Sequence, residues 1–98
     1  ADQMVDNLAV QSGSLESRWL VLTDGTLRWY EDTDSEGRTD RERGSLRLGP
    51  GAVSMAMERG GRRFCVLVTA KEGAEKLFFD AGSPDEQMRW ISCLTRAV

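Results

Sequence analysis

Between turn residues this chain carries short stretches in which apolar residues recur at every second position or run together, and near its end they recur at three- and four-residue spacing. The first period is that of a strand half in a core, the second that of a helix with one buried face. Residues 17–22, with Trp19, Leu20, Val21 and Leu22, predict a strand. Thr23-Asp24-Gly25-Thr26 follows, and its Asp-Gly pair tolerates the positive φ that a tight hairpin needs. Leu27-Arg28-Trp29-Tyr30 returns as the partner, with Leu27 and Trp29 on one face and Arg28 and Tyr30 on the other. Residues 44–48 alternate as a half-buried strand, and Gly49-Pro50-Gly51 breaks it. Alternation resumes at 52–57, with Val53, Met55 and Met57 sharing a face. Glu58-Arg59-Gly60-Gly61 is a turn, 62–69 the longest expected strand, 71–75 another turn, and 76–81 the last strand. At the start, 4–10 make a further strand, closed by a turn at Gln11-Ser12-Gly13-Ser14.

The final residues, 83–98, read as one amphipathic helix. Ser83 and Glu86 have the spacing of a capping box, and Pro84 falls where a missing N–H costs nothing. Asp85 and Glu86 put negative charge at the positive end of the helix dipole. Trp90, Ile91, Leu94, Ala97 and Val98 share a face, so Trp90, Ile91 and Leu94 are expected in the core. The fold class expected is therefore mostly β: a seven-stranded antiparallel barrel or sandwich closed by one C-terminal helix. Trp90 is its main plug, because an indole removes the largest area from water.

Composition narrows the function. The 98 residues suffice for one domain, 1–98, and the start at Ala1 without methionine suggests excision from a larger protein. A formal charge of −3 argues against a general nucleic-acid binder, which carries a basic footprint. The chain has no histidine, which removes the Ser-His and Cys-His nucleophile pairs and the usual transition-metal ligand. No enzyme activity and no cofactor are expected. Cys65 and Cys93 are too few for a disulfide framework or a zinc site, and free thiols are the default.

Residues 31–43 read as a long charged loop, with six acids and three arginines. Asp32, Asp34, Glu36, Gly37 and Asp40 match part of a calcium-binding EF-hand loop. Arg43 stands where the bidentate glutamate belongs, however, and the flanks are strands, so no metal is expected. Tyr30 and one of Phe78 or Phe79 are candidates for exposed aromatic anchors.

Taken in order, Arg18-Trp19-Leu20-Val21-Leu22, Leu27-Arg28-Trp29-Tyr30, Gly44-Ser45-Leu46-Arg47-Leu48, Phe64-Cys65-Val66-Leu67, Leu77-Phe78-Phe79-Asp80-Ala81 and the helix around Trp90 resemble a pleckstrin homology (PH) domain. The resemblance runs from about Met4 to Val98. It implies two nearly orthogonal sheets of three and four strands, capped by the helix. It also implies a non-catalytic module that recruits its parent through phosphoinositide headgroups or proteins.

Phosphoinositide-binding members resemble one another in a basic motif: a lysine late in the first strand, then a basic residue and an arginine flanking one position at the start of the second. Glu16-Ser17-Arg18 occupies the second part, so Arg18 matches while Glu16 stands where a base is expected. Leu8, Ala9 and Val10 supply no lysine. The function expected is recruitment or scaffolding through a protein partner, with at most weak lipid affinity. The alternative is phosphoinositide binding through Arg18 and Arg28, helped by Arg62 or Arg63. The expected location is intracellular and cytoplasmic, with peripheral membrane contact at most.

Overall fold

A computed structural model describes residues 4–12, 14–33, 39–49, 51–70 and 75–97. Among these residues, seven strands precede one helix: β1 (Met4–Ser12), β2 (Ser14–Thr23), β3 (Thr26–Thr33), β4 (Thr39–Arg47), β5 (Val53–Arg59), β6 (Arg62–Thr69), β7 (Lys76–Asp80) and α1 (Pro84–Arg96). All strand pairs are antiparallel, in the order β4-β3-β2-β1-β7-β6-β5. β1, fourth of the seven, thus joins β4-β3-β2 to β7-β6-β5. β1 pairs with β2 from Met4↔Leu22 to Ser12↔Ser14, and with β7 through Ala9↔Asp80, Val10↔Phe79 and Gln11↔Phe78.

The turn at Asp24-Gly25 forms as its composition predicts, with φ of 50° and 71°. Both values suit the primed turn whose twist matches the flanking strands. It fixes the β2–β3 register, Thr23↔Thr26 and Leu22↔Leu27, and its Gly25 carbonyl accepts the Leu48 N–H at 2.8 Å as the chain leaves β4.

Alternate residues of each strand point inward. Val10, Leu20, Leu22, Leu27, Leu46, Val66, Val68, Leu77 and Phe79 are fully or almost fully buried, and α1 adds Trp90, Cys93 and Leu94. Ile91 and Ala97 pack partly buried against this core. Ser83 caps α1 by accepting the Glu86 N–H at 3.2 Å. Glu86 does not complete the expected box. Its carboxylate takes the Arg89 guanidinium at 2.9 and 3.0 Å, one turn along the helix.

Trp90 anchors α1 in two ways. Its ring meets Phe79 edge-on, 5.3 Å between centroids and 68° between planes. Its Nε1 donates to Asp6 Oδ2 of β1 at 3.0 Å, which gives the buried indole the partner it requires. The apolar body plugs the sheet while the polar edge ties the helix to the central strand.

Two expectations need correction. Residues 31–43 are not one loop, because β3 runs to Thr33, β4 starts at Thr39, and Asp32↔Asp40 and Thr33↔Thr39 are paired. A backbone ladder needs no apolar side chains at an exposed edge, so polarity alone does not end a strand. A bulge between Trp29 and Tyr30 takes up an extra residue, and Arg41 nearby has φ of 58°. Most of the calcium-like fragment lies outside the described residues, as do Gly13, Pro50, residues 71–74 and Val98. The other correction is to β5, whose apolar face is not half-buried: Val53 is 57% and Met55 50% exposed. Alternation says which residues share a face, but not which face the core takes.

Cys65 and Cys93 are buried free thiols. Burial, then the nearby Asp80 carboxylate, push the Cys65 thiol above its ordinary pKa, against weaker opposing pulls from Arg62 and Arg59. The neutral thiol therefore contributes stability below pH 9.0, and this is lost as pH rises through the higher folded-state value. At pH 8, alkylation of Cys65 in the native chain, followed site by site by mass spectrometry, should lag far behind alkylation in denaturant. Equal rates would mean that the thiol is open to solvent.

Candidate functional site

The sheet divides the arginines on which the alternative phosphoinositide reading draws. Residues facing each other in an antiparallel ladder share a side, and neighbours along a strand alternate. On β2, Arg18 shares the face of Leu20 and Leu22 and stands opposite Leu8 of β1. Arg28 pairs with Val21, so it lies on the other face. The cause is the two-residue turn at Asp24-Gly25: once Thr23 meets Thr26, Val21 must meet Arg28. That parity could have been read from the Asp-Gly signal itself.

Each of these two arginines also has an acid beside it. Arg18 is held on the inner face with its side chain only 15% exposed, ion-paired with Glu16, and its Nη1 donates to the Ser17 carbonyl at 2.9 Å. Arg28 Nε lies 3.4 Å from Glu42 Oε1 on β4. Glu16, which stands where the resemblance expects a base, thus occupies the guanidinium that would hold a phosphate.

Arg62 and Arg63 open β6. Arg62 Nη1 donates to Asp80 Oδ2 of β7 at 2.7 Å, while the other oxygen of Asp80 accepts the Gly82 N–H at 2.9 Å. Arg63, next along the strand, is exposed. Arg62 does come together with Arg59, its ladder partner across the β5–β6 turn.

Sequence reasoning passed over the setting of Arg59. Its guanidinium carbon lies 4.4 Å from the centroid of the Phe78 ring, a cation–π contact, and its Nη1 reaches Gln11 Oε1 at 3.5 Å. Phe79, next to Phe78, points into the core and is fully buried. Of the two phenylalanines, Phe78 is therefore the outward one, covered by arginine rather than left bare. Tyr30 is half-buried opposite Trp19. Strand alternation could have separated Phe78 from Phe79, but nothing local joins Arg59 to Phe78.

A family model described as PH domain matches residues 5–98. No curated protein matches the chain. Among solved structures, the PH domain of human oxysterol binding protein-related protein 11 aligns with a TM-score of 0.77 at 20% identity, covering 99% of this chain and 80% of that one. The carboxyl-terminal PH domain of pleckstrin aligns at 0.75 and 20% identity, covering 96% and 94%. The same pleckstrin domain in complex with D-myo-inositol 1,2,3,4,5-pentakisphosphate aligns at 0.70 and 22% identity, covering 98% and 95%. At such identities the likeness speaks to the fold.

Proposed function

The chain belongs to the PH domain family, and from that membership we propose a non-catalytic recruitment module that works chiefly through a protein contact and has at most weak affinity for membrane lipid. PH domains in general bind rather than catalyse. One observation carries the reading: Arg18 and Arg28 stand on opposite faces of the sheet, each beside a carboxylate. A polyphosphorylated headgroup is gripped when several cations converge on it from one side. Each such charge at ~4 Å contributes on the order of 4 kcal/mol in a surface site before desolvation. Arg18 alone of this pair faces inward, and Glu16 offsets much of its charge.

No helix among the described residues is long and apolar enough to cross a membrane. The proposed site of action is inside the cell, with any membrane contact peripheral.

Phosphoinositide recognition stands as the second reading. It draws support from the pleckstrin neighbour solved with an inositol pentakisphosphate and from the inward set of Arg18. Liposome co-sedimentation over a phosphoinositide panel, with Arg18→Ala beside the parent chain, separates the two. The expected result is pelleting no greater than with plain phosphatidylcholine for both chains. Headgroup-specific pelleting that Arg18→Ala abolishes would overturn the protein-contact reading.

A further inference from the structure

We propose that the outer face formed by β5, β6, β7 and the β1–β2 hairpin docks an acidic segment of a partner protein that carries bulky apolar side chains. The proposal rests on the protein-contact reading above and gives it a surface.

The register builds this face. Met55↔Leu67, Leu67↔Phe78, Phe78↔Gln11 and Gln11↔Leu15 are successive ladder pairs, so these five residues form one row across five strands. Val53, Thr69 and Lys76 form the next row on the same side. Two clefts open over them. One, of about 270 Å³, is lined by Gln11, Arg59, Leu67, Lys76 and Phe78. The other, of about 240 Å³, is lined by Gln11, Leu15, Arg59, Gly60, Arg62 and Phe78. They share Gln11, Arg59 and Phe78 and so make one trough.

Leu15, Leu67 and Phe78 give the trough an apolar floor, and among the described residues the charged ones lining it are cationic: Arg59, Arg62 and Lys76. Among the described residues no carboxylate lines either cleft, although the whole chain is acidic at −3. Asp80, the nearest acid by register, is already bonded to Arg62. Lys76 has no ion-pair partner among the described residues. Toward the β5 edge the same face carries Met55 and Val53, both half or more exposed.

This charge complementarity selects the occupant. A small polyanion would meet the cations and leave Met55 and Val53 in water. An acidic peptide with leucine, methionine or aromatic side chains uses both, with carboxylates on Arg59 and Lys76 and apolar groups along the row from Leu15 to Met55. Cations beside an apolar row that opens to solvent at Met55 and Val53 are what a segment of that composition buries well.

A phage-displayed random peptide library panned against the 98-residue chain tests the proposal. Enriched peptides should carry net negative charge together with Phe, Trp, Leu or Met. The best of them, made synthetically, should shift amide resonances of β5, β6 and β7. Arg59→Glu, Lys76→Glu and Met55→Asp should each weaken it by about tenfold or more. These side chains are exposed, so melting temperatures should hold, and that control separates lost binding from lost folding. Arg18→Ala should bind as the parent does. Failure to enrich any peptide, enrichment of neutral or basic ones, shifts confined to other strands, or indifference to Arg59→Glu would each overturn the proposal. So would binding of phosphatidylserine vesicles through Arg59 and Lys76, which would assign this face to a membrane. The protein-contact reading falls on a different result, headgroup binding that depends on Arg18.

Discussion

Trp90→Ala should leave the chain unfolded or nearly so at physiological temperature. The indole is fully buried, packs edge-on against Phe79, and donates its N–H to Asp6. Truncation removes all three contributions and leaves a cavity where α1 meets the sheet. Such a change costs about 3–5 kcal/mol, against a total stability of about 5–15 kcal/mol for a domain. Each kcal/mol moves the midpoint of a chain this size by about 4–8 °C, so a loss of roughly 15–30 °C is expected by circular dichroism. Trp90→Phe divides the causes. It keeps most of the apolar body but takes away the donor to Asp6. That carboxylate is 28% exposed and water can replace the lost partner, so the cost should sit near the low end of about 1–3 kcal/mol. An unchanged midpoint for the alanine variant would mean that the helix does not hold the sheet closed.

Gly44→Val should destabilise the domain even though valine suits a strand better than glycine. Gly44 faces Trp29 across the β3–β4 ladder, and the indole lies directly over it. A Cβ at Gly44 would stand 2.5 Å from Trp29 Cε2 and 2.9 Å from Nε1, inside contact distance of a buried ring. Intrinsic strand preference offers a gain of only about 1 kcal/mol. Overpacking costs about 1–3 kcal/mol, and more when the group that must yield is large and enclosed. The steric cost wins, and a fall in the thermal midpoint of roughly 5–15 °C is expected. Ser45→Val, one residue along on an exposed position, serves as the control and should move the midpoint little. A more stable Gly44→Val would mean that the Trp29 ring can swing away from β4.

Local chemistry made much of this architecture legible. The Asp24-Gly25 turn, the Ser83 cap with Pro84 behind it, the apolar runs of β2 and β6 and the alternation in β3 each depend on residues a few positions apart. The order of these elements was enough to place the chain in its family, since short strands with close turns and one terminal amphipathic helix leave few alternatives. The candidate site was less legible. Arg18 and Arg28 read as neighbours because they lie in adjacent strands, although the register set by the Asp24-Gly25 turn already puts them on opposite faces. A one-residue difference in register moves every side chain to the other side of a sheet, and register belongs to a pair of strands rather than to either one.

By itself, then, the sequence determined the element types, the turn geometry at 24–25, the helix start, and the burial of Trp90. Each follows from period, from backbone freedom, or from the area one large side chain must remove from water. Tertiary structure decided what depends on distant partners. It turned the apolar face of β5 outward, because α1 packs against β5 and β6 and Ser54 and Ala56 alternate to the face opposite Met55. It brought Asp6 to Trp90 across 84 positions, set Gly44 beneath Trp29, and laid Arg59 over Phe78. These contacts join groups that share no local period, so only the closing of the sheet through β1 and β7 could fix them.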